Sequence, residues 1–405
     1  MKKVIGIAVI LCLICSLCTT AEASPAGNAT AYCVGTNFGT GNINTSGAAT
    51  YAATQFANLG LSSNYNIYPQ KNTLNGSYSD GRKFLESGIV MLDGHGSFEC
   101  IQFNYNNIGG YYKCGVEMGT VDELPATTSG YYYWALGNYT LSDVALYILA
   151  GCETSQGSNN ITSYVVSQGA KAAIGWNSSV DTTSFTQWLY AFTARIGQGY
   201  TVAQAYAYAD SFSYGDIRVK SHYCYGDVNH NPLYYINPSA LLPQADDERE
   251  HAIIVADRYS TTETIINYLN EKEGNADWFD CQKAENDYEY YDCVLKYLDV
   301  YTDYVYTFCV QDDVIKVYDN TRDQDADVIR KKISEFRNCY QEESIAAQQR
   351  EEKEGFIETV DGTVDSIKQY IMFNSADDCF YSALQYVATD PAGLHFADTL
   401  FYPIK

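Results

Sequence analysis

The chain has 405 residues and carries 25 Lys and Arg against 49 Asp and Glu, a formal net charge of −24 at neutral pH. A surface this acidic repels phosphate backbones and anionic headgroups, which excludes nucleic acid as a partner and a polybasic membrane anchor. The length exceeds one ordinary core and predicts two domains, and the charge divides unequally between them: residues 24–242 hold 13 acidic and 8 basic side chains, residues 243–405 hold 35 and 15.

In chain order, Lys2 and Lys3 precede an apolar run from Val4 to Cys18, and Ala21-Glu22-Ala23 then forms a small-x-small step. This predicts a secretory signal peptide over 1–23 and a secreted, extracellular product. No other stretch reaches the roughly 18 apolar residues of a spanning helix, so no membrane span is expected in the mature chain. Ala29 to Val34 reads as a first strand, Thr45-Ser46 opens an alanine-rich helix running to Leu61, and Tyr65 to Tyr68 reads as a second strand. Asp80 starts a short helix ending at Glu86, which feeds the run Ile89-Val90-Met91-Leu92-Asp93-Gly94-His95-Gly96.

Glu99 to Tyr105 and Tyr111 to Glu117 predict a hairpin turning over 106–110, placed to border a cleft. Ala145 to Ala150 is a second apolar run, and it stops in Gly151-Cys152-Glu153-Thr154. A helix from Asn160, a strand over Ala170 to Gly175, and helices over Ser184 to Arg195 and Val202 to Phe212 follow. Strand and helix alternate throughout, which places residues 24–242 in the α/β class as a mostly parallel sheet sandwiched by helices. Residues 243–405 read as a smaller, acidic α+β accessory domain. Its expected elements are a helix over Thr261 to Asn270, a hairpin of Lys296 to Val310 with Val314 to Asp319, and one long charged helix from Asp327 to Glu354. The acidic surface offers a possible interaction with a partner of opposite charge.

The two apolar runs carry the chemistry. Each ends in glycine beside one reactive side chain, His95 in the first and Cys152 in the second. In open α/β sheets the strand carboxyl ends are where ligands bind. An imidazole beside a thiol suits nucleophilic catalysis: His95 accepts the thiol proton and later protonates the leaving amine, while Cys152 attacks the carbonyl and carries the acyl group. The N–H groups of Gly96 and Cys152 are the candidates for an oxyanion hole. No cofactor is expected. His222, His230, His251 and His395 lack metal-ligand spacing, and no metal site is expected. Of the ten cysteines after the signal peptide, Cys100 with Cys114 and Cys281 with Cys293 are the near-sequence candidates for pairing, with buried free thiols as the alternative.

Leu149-Ala150-Gly151-Cys152-Glu153-Thr154, with the His-Gly step upstream, resembles the caspase-haemoglobinase superfamily of cysteine peptidases, nearest to CHAT domains and to the Cys-Glu-Ser step of legumains. Gly169 to Trp176 followed by Val180-Asp181 is similar to the CHAT pattern, and Tyr225-Gly226-Asp227 is similar to the closing strand of gingipain-type domains. The resemblance covers about residues 28–240. It implies a caspase-like sheet, a Cys152–His95 dyad and a protein or peptide substrate. It also implies a specificity pocket bordered by Glu153, Trp176 and Asp181. Asp181 reads in the first place as the cap of the helix that starts at Thr182. The alternative is a caspase-like fold kept as an extracellular binding or adhesion module without catalysis.

Overall fold

A computed structural model describes the chain except for residues 1–28, 39–42, 59, 68–82, 104–113, 121–131, 237–248, 256–260, 286–288, 312–313, 322–323, 341, 361, 391–392 and 405. The expected signal peptide, the Asp80 helix start, the 106–110 turn and the division at Pro243 lie outside the described residues.

The first sheet has six strands: β1 (Thr30–Val34), β2 (Ser62–Asn66), β3 (Ile89–Asp93), β8 (Leu146–Ala150), β9 (Ala172–Trp176) and β10 (His222–Gly226), in the order β10-β9-β8-β3-β1-β2. Every neighbouring pair is parallel except β10 with β9. All residues of β3, β8 and β9 are buried, which is why they read as continuous apolar runs and not as alternating ones.

Helices α1 (Ser46–Ala57), α4 (Thr182–Gly197) and α5 (Val202–Asp210) cover one face. Ala48, Ala49 and Ala52 bring α1 close to the strands, while Trp188 and Phe192 of α4 fill the remaining depth. The short helix α2 (Lys83–Glu86) leads into β3, and α6 (Pro232–Ile236) follows β10. The other face differs from the expected helical layer. Among the described residues the short helices α3 (Ile161–Ser167) and α2, through Leu85, pack there, beside a small sheet of β4 (His95–Gly96), β5 (Cys100–Phe103), β6 (Cys114–Glu117) and β7 (Tyr132–Ala135). The predicted hairpin is thus present as β5 and β6. Cys100 lies opposite Glu117 and Cys114 opposite Phe103, too far apart along the ladder to pair, and both thiols are free.

Residues 250–403 form an eight-stranded, mainly antiparallel sheet: β11 (Glu250–Val255), β12 (Phe279–Glu285), β13 (Glu289–Tyr297), β14 (Val300–Gln311), β15 (Val314–Asp319), β16 (Thr363–Asn374), β17 (Cys379–Thr389) and β18 (His395–Pro403). Helices α7 (Thr261–Glu273), α8 (Ala326–Cys339) and α9 (Glu342–Thr359) accompany it, as an α+β reading requires. Two boundaries differ from expectation. Leu298 and Asp299 adopt positive φ (+48° and +58°), so the run through Lys296 turns back as a tight hairpin loop. The long charged helix is broken at Tyr340, whose backbone is extended. Its first half does have an apolar face, with Ile329, Ile333 and Phe336 buried at helical spacing. Cys281 and Cys293 face each other in register and form a disulfide.

Each sheet has a core of its own, and the two are joined by shared apolar clusters and a few specific polar contacts. Lys220, in a 3-10 turn (Ile217–Lys220), places Nζ 2.6 Å from Asp292 Oδ1 on β13, and the Thr307 hydroxyl donates to the same oxygen at 2.6 Å. Both charges are buried. Arg249 donates to the Ser211 carbonyl and to Asn320 Oδ1, each at 3.0 Å. Its guanidinium lies 3.3 Å from the centre of the Phe212 ring. Finally, β18 lies against α4 and β4, and Phe38 and Ile43 pack with Phe356, Tyr386 and Phe396.

Candidate active site

Strands β3 and β8 pair with Ile89 opposite Leu146 and Asp93 opposite Ala150, an offset of 57 residues at every position. His95 stands two residues beyond Asp93 and Cys152 two beyond Ala150, so the ladder delivers the imidazole and the thiol to adjacent turns at the same level. The turns are locked by short bonds. Gly94 N–H donates to the Ala150 carbonyl at 3.0 Å, and the Thr154 hydroxyl donates to the Leu149 carbonyl at 2.9 Å while accepting from Trp176 N–H at 3.1 Å.

Glycine is required where the turns touch. A Cβ on Gly96 would stand 2.5 Å from the Cys152 carbonyl oxygen, and one on Gly151 would stand 3.0 Å from the Gly94 carbonyl oxygen. Ser97 N–H bonds to the Cys100 carbonyl at 2.9 Å, which makes Gly96 opposite Ile101 the non-bonded position of the β4–β5 ladder. Its N–H therefore points away from β5, on the side of the cysteine turn. Glu153 takes a left-handed backbone, φ +60°, unusual for a side-chain-bearing residue. Its N–H donates to the Ser178 carbonyl at 3.3 Å.

His95 and Cys152 line one cavity of about 20 Å³, with Thr45, Asp93 and Val180 from the first half and Phe396 and Ala397 from β18. That volume holds about one water. The His95 ring is sandwiched between Phe38 at 4.1 Å and Phe396 at 5.1 Å between ring centres. Burial lowers its pKa to about 4, against the opposing charge of Asp390. Burial likewise raises the Cys152 thiol to about 11, and Glu153 pushes the same way. The Val180 and Ala397 N–H groups aimed at the sulfur and the Arg218 charge oppose the shift. With β18 in place the pair is a neutral thiol beside a neutral imidazole.

Of the proposed pocket residues, Glu153 borders the thiol and accepts from the Ser179 hydroxyl at 3.5 Å. Trp176 requires correction. Its side chain is wholly buried, edge-on to Phe185 at 4.4 Å and Trp188 at 5.1 Å, with Nε1 donating to the Val219 carbonyl at 2.6 Å, so it belongs to the core. Asp181 is the cap of α4, accepting from Thr183 N–H at 2.9 Å and Ser184 N–H at 3.0 Å. It also lines a larger cavity of about 370 Å³ between the two sheets.

Several residues at the site carry no local signal in the sequence. Asp93 is buried with Oδ1 lacking a hydrogen-bond partner among the described residues, and burial raises its pKa well above the carboxylate range. Phe38 and the segment Phe396-Ala397-Asp398 reach the site only through the tertiary fold. Among the described residues no group of three His, Cys, Asp or Glu side chains converges as a metal site, and no helix is long and apolar enough to cross a membrane. His222 is instead buried 2.8 Å from the Asp210 carboxylate. No protein-family model matches the chain, and no curated protein matches it by sequence.

Proposed function

We propose that the chain is an exported cysteine peptidase of caspase-like fold, in which Cys152 attacks the peptide carbonyl and His95 serves as base and then acid, without a cofactor. The observation that carries this reading is the common 57-residue register offset, which brings the two side chains to one cavity at the carboxyl ends of adjacent parallel strands. The Gly96 N–H direction supports its assignment, with the Cys152 N–H, to the developing oxyanion. The neutral thiol and the small cavity support a resting form that must open before it acts, because an activated thiolate needs a lowered pKa and room for a carbonyl.

The test is labelling by acyloxymethyl-ketone probes bearing Arg, Lys, Asn, Asp or Leu, on wild type and on Phe396→Ala, each with and without Cys152→Ala or His95→Ala. Labelling enhanced by Phe396→Ala and lost with either dyad substitution is the expected result. Labelling that persists without His95 would reduce Cys152 to an ordinary thiol. A second reading, an extracellular binding module that engages a partner through the acidic second half, is favoured by the raised thiol pKa. It predicts no labelling in any of these proteins.

A further inference from the structure

We infer that β18 is a built-in occupant of the peptide cleft and that the paired carboxyl groups of Asp181 and Asp398 form a proton-operated latch holding it there. The occupancy rests on the peptidase reading of the cleft, whereas the latch stands on the buried contact between the two carboxyl groups beside the Asp181–Ala397 bridge. Three consecutive residues of β18 fill the site. Phe396 covers the His95 ring, Ala397 aims its N–H at the Cys152 sulfur and bridges in parallel with Asp181, and Asp398 places its carboxyl group in hydrogen-bond contact with that of Asp181. An extended segment laid beside Val180-Asp181-Thr182 is how a bound peptide adds to an existing backbone edge. β18 is also the last strand of its sheet, where its one ladder among the described residues is with β17, so it can detach without unravelling the rest.

The latch chemistry follows from what surrounds the pair. Asp181 is 2% exposed and Asp398 4% exposed. Backbone N–H groups of Thr183 and Ser184 donate to Asp181, and those of Thr182 and Thr399 to Asp398. Asp216 of the neighbouring loop accepts from Asp181 N–H at 3.0 Å, and Arg218, the cation facing Asp181, is held by Asp216 at 2.8 Å. Tyr370 of β16 and Tyr386 of β17 complete the wall, both kept neutral by burial. Cys152, one strand away, is neutral as well. Arg218 gives only its Nε to Asp216 and has no hydrogen-bond partner for Nη2 among the described residues, and Lys368 of β16 lines the same cavity as Asp181. Neither cation bonds to the carboxyl pair, and two buried carboxyl groups in contact are held together by sharing a proton. In keeping with this, burial and the Asp181 charge raise Asp398 to about 9, and burial and Asp216 raise Asp181.

The sign is fixed by that proton. The closed strand binds it, and the open strand releases it near the ordinary carboxyl value of about 4. Closure is therefore fully supported below about pH 4 and weakens about tenfold per pH unit until the closed-state value is passed. Above pH 5 the opening equilibrium should therefore rise with pH, by up to about tenfold per unit.

Hydrogen exchange of the full chain, with rates corrected for the intrinsic effect of pH, reads this directly. Protection of the 396–399 amides in wild type should fall about tenfold per pH unit while β1 and β3 stay level, and Asp398→Asn should flatten the slope. A flat wild-type slope overturns the latch whether or not the variant folds, and so does an unchanged slope in Asp398→Asn. Exchange needs no catalysis, so failure of the peptidase reading leaves the slope intact, and failure of the latch leaves probe labelling indifferent to Asp398.

Discussion

The two halves meet at two buried charged junctions of opposite design. At Lys220 and Asp292 a cation meets an anion at 2.6 Å, with a threonine hydroxyl donating to the same carboxylate oxygen. At Asp181 and Asp398 like groups meet, and the contact exists only while a proton is held between them. The first joins the 3-10 turn to β13, while the second sits on the strand that covers the thiol. A permanent joint beside a conditional one lets one strand leave while the two sheets stay together.

That contrast can be broken most severely at the first junction. Lys220→Met leaves Asp292 buried without its partner and should cost about 3–5 kcal/mol in urea unfolding, whereas adding Asp292→Leu should recover most of the loss. If the single substitution were as mild as the double, the joint would not be ionic. Gly96→Ala comes next, because its Cβ meets the Cys152 carbonyl at 2.5 Å. We expect about 1–3 kcal/mol of destabilisation and loss of probe labelling, and retention of both would refute the tight contact between the turns.

Asp181→Ala should cost about 1 kcal/mol through the lost helix cap, with a larger loss at pH 5 than at pH 8 because the shared proton is lost too. Asp181→Asn separates the two effects, since it keeps the cap but not the titration, and its thermal stability should exceed that of wild type only at the higher pH. The smallest effect is expected at Lys171, whose exposed pair with Asp227 spans 3.4 Å. Lys171→Ala should change stability by less than about 1 kcal/mol at any pH, and a larger change would mean that surface pairs contribute to the pH profile.

The strands that carry the dyad were legible because each condenses its message locally, an apolar run long enough to be buried on both faces and then a glycine turn with one reactive residue. The shared offset of 57 residues is visible in the sequence as spacing, but only the ladder turns it into adjacency. Trp176 misled because an indole at the end of a strand next to the sheet edge looks the same in sequence whether it walls a pocket or fills a core. Its packing on Phe185 and Trp188 of α4 decides the matter. The strands from Thr363 onward were not anticipated, and nothing in His395-Phe396-Ala397-Asp398 distinguishes it from any half-buried edge strand. Its role arises from which residues the fold sets opposite, Asp181 and His95, and that juxtaposition has no local trace.

The orientation of the covering strand has one more consequence. At Ala397 the sulfur of Cys152 meets an N–H, a proton donor, where a substrate would present a carbonyl carbon. On the proposed peptidase reading, the covering strand thus presents the thiol with a hydrogen-bond donor and not with a bond to be cut. It would then serve as a reversible inhibitor instead of a first substrate.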